Sequence, residues 1–444
     1  MVNVNSQFND HFSESNLKRI FVEYVVFSGA TGIDNLDQYA FRRQLDKQVA
    51  ILSRKMIAGT YSFSKYKLKL VSKGRGKIPR EIAIPTVRDR IAMRAMCDFL
   101  TDRFKSSIAL KMPQDIIKKV KSDVQNGAYN GCIKLDVSDF YPSIKHNELK
   151  SRLKKRIKNS KIIDVIFSAI SSPTVTISKK FDQPSTLGVP QGLAISNILA
   201  AIYLINIDRY LNKHPNISYY RYVDDVLIFC SIENAEEIAD NVISRFRKIG
   251  LKIHNPKKNP EKSSIGPLGK KFDYLGYQFD DGKVSARIAT VEKLKASLAA
   301  IFTSYKYSKH KNQNFLLWRL DLRITGCVFE NKSKGWLFFF SEINDESLLH
   351  SLDHYINKLI KRFEVTIKPK KFSRAFKELS HRRYETNYIP NFDKYTSDQK
   401  KQVLANYFKI NIDRLGDEEI DFEFHKRISK QVKDLLEDIK DFKY

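Results

Sequence analysis

The chain has 444 residues and carries 78 Lys and Arg against 50 Asp and Glu, a formal net charge of +28. Its length allows two or three domains with substantial cores. The positive excess favours a polyanionic partner, and nucleic acid is favoured over a membrane because no run of about 20 apolar residues occurs. The N-terminus lacks a signal-peptide pattern, and the four cysteines form no C-x-x-C pair. These features predict reduced thiols in a cytoplasmic protein and no zinc site.

The first half of the chain begins with a polar lead-in and a helical stretch, over residues 1 to about 50. A lysine-rich connection follows at Lys111–Lys121. Ile133–Val137 is a short apolar run that predicts a strand, and Asp136 falls near its end, where a side chain can point into a cleft. One helix is predicted through Glu148–Ile170.

The segment Gly188–Ala200 is punctuated by Pro and Gly and then becomes apolar. It predicts a turn that leads into a buried helix.

Two adjacent acids, Asp224 and Asp225, lie between the β-prone runs Ser218–Val223 and Val226–Cys230. The pattern predicts a β-hairpin with the acid pair at or beside its turn. Like charges repel, and apolar strands on both sides make hydration poor, so the pair is costly unless a cation binds. Hard oxygen ligands suit Mg²⁺ or Mn²⁺. An ordinary polar turn is the alternative, since Asp is common in turns.

The last part of the chain is predicted to be helical and aromatic. Trp336–Phe340 is too continuous to stack bases, and we expect it in the core or in an oligomer interface. A basic stretch, Lys368–Arg383, follows and suits contact with a phosphate backbone. Ile324–Gly326 is expected to be a helix end.

In their order and spacing, the acid and turn segments resemble the palm motifs of reverse transcriptases. The amino-acid sequence of the middle motif, Gly188–Leu199, is similar to that of bacterial defence-associated enzymes of the abortive-infection type. The resemblance extends over roughly Arg54–Phe279. The matching positions are Asp136, Pro190–Gly192 and Tyr222–Asp225, with further likeness at Lys77–Ile91, Gly250–Lys258 and Phe272–Phe279.

This resemblance implies an α+β right-hand polymerase fold, with fingers and palm, and an all-helical C-terminal thumb and extension. The implied domains are an N-terminal region with fingers at 1–130, a palm at 131–282 and a thumb with extension at 283–444. The implied function is RNA-directed DNA synthesis from dNTPs in anti-phage defence. The implied partners are an RNA template or non-coding RNA, the DNA product and further copies of the chain.

The catalytic residues implied by the resemblance are Asp136, Asp224 and Asp225. Phosphoryl transfer to a 3′-hydroxyl needs charge neutralisation on both oxygens, which two divalent ions about 3.5–4 Å apart supply. Asp136 and Asp224 would bridge both Mg²⁺ (or Mn²⁺) ions, and Asp225 would support one. Asp139 is the competing acid and is expected to cap the following turn.

Four residues are expected to contact the incoming nucleotide. Arg80 and Lys69 could grip its triphosphate, because a guanidinium pairs with phosphate oxygens in bidentate fashion. By resemblance, Gln191 contacts the nucleotide, and Tyr141 stacks under the sugar and excludes a 2′-hydroxyl. Core packing is the alternative for Tyr141, and an ordinary exposed lysine is the alternative for Lys69.

Three other functions stay open at this point. A template-independent or protein-primed DNA polymerase would start its chain on a Tyr or Ser hydroxyl. A retron-like enzyme would use a structured non-coding RNA. A nucleic-acid-binding scaffold without activity is the remaining option, and the three acids at Asp136, Asp224 and Asp225 argue against it.

Overall fold

The computed structural model describes residues 3–72, 74, 76, 78–108, 110–179, 181–383 and 385–442. Lys77, the first residue of one motif, lies outside this set. Two compact units divide the chain. Unit 1 comprises Met1–Lys111 with Tyr129–Pro267, and unit 2 comprises Met112–Ala128 with Leu268–Tyr444.

Helices of the α type occur along both units of the described chain. In chain order they are α1 (Val4–His11), α2 (Glu14–Ile20), α3 (Gln38–Arg42), α4 (Leu45–Ala58), α5 (Val87–Phe104), α6 (Pro113–Asn126), α7 (His146–Lys154), α8 (Ser160–Ser171), α9 (Ser196–Asn212), α10 (Ala235–Lys248), α11 (Ile288–Lys306), α12 (Gln313–Thr325), α13 (Trp336–Phe339), α14 (Glu346–Arg362), α15 (Phe372–His381), α16 (Ser397–Phe408) and α17 (Asp417–Leu436).

The strands follow the same order. They are β1 (Tyr66–Val71), β2 (Arg80–Ile84), β3 (Gly131–Ser138), β4 (Thr174–Val175), β5 (Ser218–Tyr222), β6 (Asp225–Cys230), β7 (Lys252–Ile253), β8 (Ser264–Pro267), β9 (Phe272–Tyr274), β10 (Tyr277–Asp280), β11 (Lys283–Ala286), β12 (Cys327–Phe329) and β13 (Lys332–Lys334).

The main sheet of unit 1 is antiparallel, with strand order β5-β6-β3-β7 and β8 paired to β3. Strand β3 alternates strictly: Ile133, Leu135 and Val137 are buried, whereas Lys134 and Asp136 are half-buried. A period of two is what a strand with one face on the core requires. Helix α10 packs against β3 and β8. This alternation places Asp136 on the more open face of a central strand.

A second sheet of unit 1 contains β1 paired antiparallel with β2 and parallel with β4. The single helix predicted over Glu148–Ile170 is wrong, because the chain forms α7 and α8 there. Asn159 separates them: its side chain accepts a hydrogen bond from the Lys161 N–H and caps α8. A capping side chain of this kind starts a new helix and favours the break.

Unit 2 combines the sheet β9-β10-β11 with helices and a β12–β13 hairpin. The prediction of an all-helical region from residue 283 onward is therefore wrong, since β11, β12 and β13 lie within it. The hairpin turn contains Glu330 and Asn331, with φ of 55° and 54°. At its base, a β-carbon on Gly326 would lie 2.4 Å from the Lys334 carbonyl oxygen. The close approach that this glycine permits allows the strands to pair directly after α12.

Two predictions for unit 2 are confirmed. Trp336, Leu337 and Phe338 are each at most 4 % exposed, so this segment belongs to the core. Helix α12 ends at Thr325, and Gly326 caps it.

The primer-grip-like segment Phe272–Phe279 lies in unit 2, whereas the predicted palm ends at 282. The three-part division into fingers, palm and thumb stays a prediction about functional regions. Across the described ranges, the helices are all too short or too polar to traverse a lipid bilayer.

Candidate active site

The pairing of β3 with β6 brings three acidic residues to neighbouring backbone positions. Asp136 on β3 lies directly opposite Asp225 on β6. Tyr222 pairs with Asp225, which leaves Val223 and Asp224 as the two-residue turn of the β5–β6 hairpin. Directly opposite residues have β-carbons about 4.5–5.5 Å apart. The predicted hairpin is confirmed, and it carries one acid in the turn and the next at the start of β6.

The position of Asp224 makes its charge costly. Burial raises the pKa of the Asp224 carboxyl to about 7, with further contributions from the charges of Asp225 and Asp136. The charge of Arg80 acts in the opposite direction. A carboxyl group crowded by two others gains most from a bound cation. The electrostatics of the turn therefore favour a cation-binding role over an ordinary polar turn.

Two basic side chains lie beside Asp136. The Oδ2 atom of Asp136 is 3.5 Å from Nζ of Lys262 and 3.5 Å from Nε2 of His254. The same ring nitrogen lies 3.0 Å from Oγ of Ser138. On the backbone, the Asp136 N–H donates to Oγ of Ser263 at 3.0 Å.

Sequence reasoning missed these neighbours of Asp136. The segment Gly250–Lys258, which contains His254, was recognised as a whole, and none of its residues was assigned to Asp136. The ammonium of Lys257, in the same segment, lies 3.4 Å from Glu236. The pairing of β3 with β7 and β8 brings His254 and Lys262 to Asp136, because His254 follows β7 and Lys262 lies just before β8. The available signal was the high density of lysines between those two strands.

The donor set fits a hard divalent ion by its chemistry. Mg²⁺ prefers carboxylate oxygens, and the pKa of Asp224 is raised by burial and by the charges of Asp225 and Asp136. Within the described ranges, however, no three His, Cys, Asp or Glu side chains are grouped as a metal-binding cluster. Since Oδ2 of Asp136 faces Lys262 and His254, ion binding would require this carboxylate to exchange those contacts.

The turn at Pro190–Gly192 lies against strand β2. The Ala83 N–H donates to the Gln191 carbonyl oxygen at 2.7 Å. Gly192 has φ of 100°, and a β-carbon there would lie 2.8 Å from the Ala83 carbonyl oxygen and 2.8 Å from Cγ2 of Ile82. Only glycine permits both the backbone conformation and this close approach. The Oε1 atom of Gln191 is buried and lacks a hydrogen-bond partner among the described residues.

Arg80 and Lys69 share the face of β1–β2 that contacts Gly192. Lys69 pairs with Ile82, and directly opposite residues project to the same side of a sheet. Arg80 is two positions before Ile82 and therefore projects to that side as well. The positive charge of Arg80 acts to lower the pKa of Asp224. Lys69 is exposed on its strand. This geometry is compatible with phosphate contacts, which stay a prediction for both residues.

Tyr141 is only 3 % exposed, and its hydroxyl donates to Oδ1 of Asn197 at 2.5 Å. The Val189 N–H donates to the Tyr141 carbonyl oxygen at 2.9 Å. This burial favours the packing alternative for the ring, and the sugar-stacking role stays a prediction. Asp139 is exposed with φ of 44°, and its carbonyl oxygen accepts the Ser143 N–H at 3.0 Å. The following turn is thus capped by the backbone of Asp139.

The family described as reverse transcriptase (RNA-dependent DNA polymerase) matches this chain over residues 71–279. The chain carries a reverse transcriptase domain. A domain of this family indicates the activity of an RNA-directed DNA polymerase, which is a nucleotidyltransferase. The matched span includes all three acids and the Pro190–Gly192 turn, and it begins 17 positions after Arg54, the start expected from sequence (71 − 54).

The chain is similar to curated proteins from bacteria and yeast. It is 22 % identical to Protein YkfC of Escherichia coli (strain K12) over 295 residues, which covers 56 % of this chain and 75 % of that protein. It is 35 % identical over 88 residues to the COX1/OXI3 intron 2 protein of Saccharomyces cerevisiae, covering 20 % of this chain. The chain spans only 10 % of that yeast relative's own length.

Among solved structures, this chain is similar to apo telomerase from Candida tropicalis, with a TM-score of 0.45 and 16 % identity. That likeness covers 86 % of this chain and 66 % of the telomerase. Telomerase from Candida albicans gives a TM-score of 0.42 and 14 % identity, and the likeness covers 89 % of this chain and 69 % of that one.

Proposed function

We propose that Asp136, Asp224 and Asp225 form the catalytic centre of this polymerase and bind two Mg²⁺ or Mn²⁺ ions. The observation that carries the proposal is the position of Asp136 opposite Asp225, with Asp224 in the adjoining turn. Three acids at neighbouring positions repel one another unless a cation neutralises them, and burial together with the charges of Asp225 and Asp136 raises the pKa of Asp224. A scaffold that only binds nucleic acid has no use for this arrangement.

In this proposal the protein contributes ligands, orientation and charge. When bound, divalent ions would neutralise the charge that develops on the attacking and leaving oxygens. Asp136 and Asp224 would hold the ions, and Asp225 would support one of them. Lys262 and His254 hold the Asp136 carboxylate in place before ions bind.

The incoming dNTP is proposed to lie between strand β2 and the Pro190–Gly192 turn. Arg80 would face its phosphates, and Lys69 would add charge from the same face of the sheet. The hydrogen bond from Ala83 to Gln191 holds the turn on this strand. The unsatisfied Oε1 of Gln191 would then gain a partner on the nucleotide.

The template is proposed to be RNA and the product DNA, with a role in bacterial anti-phage defence. The defence role is supported only by the similarity of the Gly188–Leu199 sequence to that of defence-associated enzymes. The net charge of +28 supports binding of both polyanions, and it predicts that raised salt weakens binding steeply. A cytoplasmic location and self-association into oligomers belong to the same proposal.

The deciding experiment is sequencing of the nucleic acid that co-purifies with the wild-type protein and with Asp224→Asn. DNA complementary to one recurrent RNA, present only with wild type, would establish templated synthesis. If that RNA is structured and encoded beside the gene, the retron-like alternative is correct. Random or homopolymeric DNA attached covalently to protein would establish protein-primed, untemplated synthesis instead.

Two further measurements test the catalytic assignment and the defence role separately. If Asp224→Asn incorporated dNTPs at the wild-type rate, the catalytic assignment would be wrong. Asp139→Asn is the matched control, because Asp139 is an exposed acid three residues after Asp136. For the defence role, phage plating efficiency on cells with wild-type protein should fall below that on cells with Asp224→Asn. Equal plating would refute defence while leaving the chemistry intact.

A further inference from the structure

The turn that carries Asp224 has a strained residue at its first central position. Val223 has φ of 55°, in the left-handed region. A β-branched residue is unfavourable there, and hairpin turns with positive φ at this position favour glycine. Such strain persists only where surrounding contacts impose it. Specific contacts must therefore hold Val223 in this conformation.

Arg221 provides one of them from within the same hairpin. Its Nη1 donates to the Val223 carbonyl oxygen at 2.8 Å. Its Nε donates to Oδ1 of Asp208 at 2.8 Å, and its Nη2 donates to Oδ2 of Asp208 at 2.5 Å. The Tyr219 hydroxyl also donates to Oδ1 of Asp208, at 2.8 Å. The guanidinium therefore connects the strained turn to a carboxylate that accepts three hydrogen bonds.

The position of Asp208 extends this connection beyond the hairpin. Asp208 lies on α9, the buried helix that follows the Pro190–Gly192 turn. Ser196, the first residue of α9, donates from its hydroxyl to the Pro190 carbonyl oxygen at 2.6 Å. The side chain of Arg221 is only 12 % exposed and that of Asp208 is 24 % exposed, so solvent weakens their pairing little. Helix α9 thus contacts the Pro190–Gly192 turn directly and the acid-bearing turn through Arg221.

We propose that the Arg221–Asp208 pair is a positioning device that fixes the Val223–Asp224 turn so that Asp224 and Asp225 face Asp136. The inference rests on the proposed catalytic role of the three acids. Neither Arg221 nor Asp208 touches substrate in this proposal, and both act through the turn. Catalytic groups displaced by about 1 Å can lose about 100-fold in rate, so control of this turn controls the reaction.

The bidentate geometry determines which replacements should fail. A guanidinium can serve two carboxylate oxygens and one carbonyl oxygen at once through its planar fork. A lysine at position 221 keeps the charge, but its three donors share one nitrogen and cannot reproduce the planar bidentate geometry that the three acceptor oxygens match. Arg221→Lys therefore separates geometry from charge. Asp208→Asn is the complementary change, since it keeps the size of the side chain but removes one acceptor oxygen.

The test measures dNTP incorporation on a homopolymeric RNA template with a DNA primer, using purified full-length protein. For Arg221→Lys we expect kcat to fall about 10- to 100-fold, with KM for the dNTP within about twofold of wild type. The Mg²⁺ concentration for half-maximal rate should rise, because the acids are less well aligned. Arg94→Lys is the matched control: Arg94 pairs with Asp98 at 2.7 Å within helix α5.

A second variant distinguishes positioning from a general loss of structure. Glycine adopts positive φ without strain. Val223→Gly in the Arg221→Lys background should therefore recover at least about threefold in kcat and lower the Mg²⁺ midpoint again. Rates are expressed per folded molecule, from hydrogen exchange of the β6 amides, so unfolding alone cannot imitate the result. If Arg221→Lys does not fold, Asp208→Asn with and without Val223→Gly provides the same comparison.

The outcomes separate this inference from the catalytic proposal. Wild-type kcat and Mg²⁺ midpoint in Arg221→Lys, beside an inactive Asp224→Asn, would overturn the positioning role and leave the acids in place. A loss of kcat in Arg221→Lys that Val223→Gly does not reduce would also overturn it. An active Asp224→Asn would overturn the catalytic proposal first.

Discussion

Replacing Asp224 by asparagine should abolish synthesis and yet stabilise the metal-free protein at alkaline pH. Folding raises the pKa of this carboxyl from 3.8 to about 7, through burial and the charges of Asp225 and Asp136. An acidic group whose pKa is raised by folding leaves the free energy of unfolding unchanged at pH values below its unfolded-state pKa. As the pH rises from the unfolded-state pKa to the folded-state pKa, the group lowers that free energy. The cost of the ionised carboxylate is therefore complete above about pH 8, and asparagine does not carry it.

The expected gain in the free energy of unfolding follows from the same pKa shift of Asp224. At ~1.4 kcal/mol for each pH unit, the interval from 3.8 to about 7 corresponds to at most about 4 kcal/mol. In EDTA at pH 8.5, unit 1 of Asp224→Asn should be more stable than wild type by up to that amount. At about pH 3 and below, the difference should disappear because the Asp224 carboxyl group is then protonated in both the folded and the unfolded state.

The assay must report on unit 1 specifically. The two tryptophans, Trp318 and Trp336, both lie in unit 2, so their fluorescence does not follow the site. Hydrogen exchange of the β3 and β6 amides does, and 4 kcal/mol corresponds to about a thousandfold slower exchange through unfolding. Mg²⁺ should then protect wild type and leave Asp224→Asn almost unchanged.

Asp139→Asn is the control, because this acid is exposed and has φ of 44°, which asparagine tolerates. The reasoning would be refuted if Asp224→Asn were no better protected than wild type at pH 8.5. It would also be refuted if the gain were the same at pH 4, since a pH-independent gain cannot come from ionisation.

Three other predictions concern packing around the site and in unit 2. Gly192→Ala should lower the stability of unit 1 by about 1–3 kcal/mol, because φ is 100° there and the new β-carbon would lie 2.8 Å from the Ala83 carbonyl oxygen. Melting curves followed by circular dichroism should show no such loss for Gly266→Ala, since a β-carbon at Gly266 would meet open space. Asp438→Ala removes the carboxylate that lies 2.7 Å from the buried guanidinium of Arg323. The free energy of unfolding of unit 2, followed by tryptophan fluorescence, should fall by about 3–5 kcal/mol. A change within about 0.5 kcal/mol would show that Arg323 is solvated. Tyr141→Ala should raise rNTP relative to dNTP incorporation if the ring excludes a 2′-hydroxyl, and an unchanged ratio assigns Tyr141 to packing alone.

Local patterns in the sequence predicted the local structure of the site. Two β-prone runs around Asp224 and Asp225 predicted the hairpin, because strand preference and turn chemistry act over a few residues. The alternation of β3 is visible in Ile133–Val137, and it orients Asp136. The order of the acid and turn segments indicated the polymerase family, which the match over residues 71–279 supports.

Predictions that needed longer-range information were weaker. The prediction of one helix over Glu148–Ile170 left out the cap at Asn159, which starts α8. The C-terminal region was predicted to be all helical because short hairpins such as β12–β13 give little periodic signal. The roles of Arg80, Lys69, Gln191 and Tyr141 stay predictions.

By itself, the sequence determined which acids exist, that two of them lie at or beside one turn and that a glycine follows Gln191. Only the tertiary structure decided what surrounds them. The pairing of β3 with β7 and β8 brings Lys262 and His254 to Asp136, and the packing of α9 brings Asp208 to Arg221. Contacts between residues distant in sequence depend on how strands pair and helices pack, and no local preference encodes that choice.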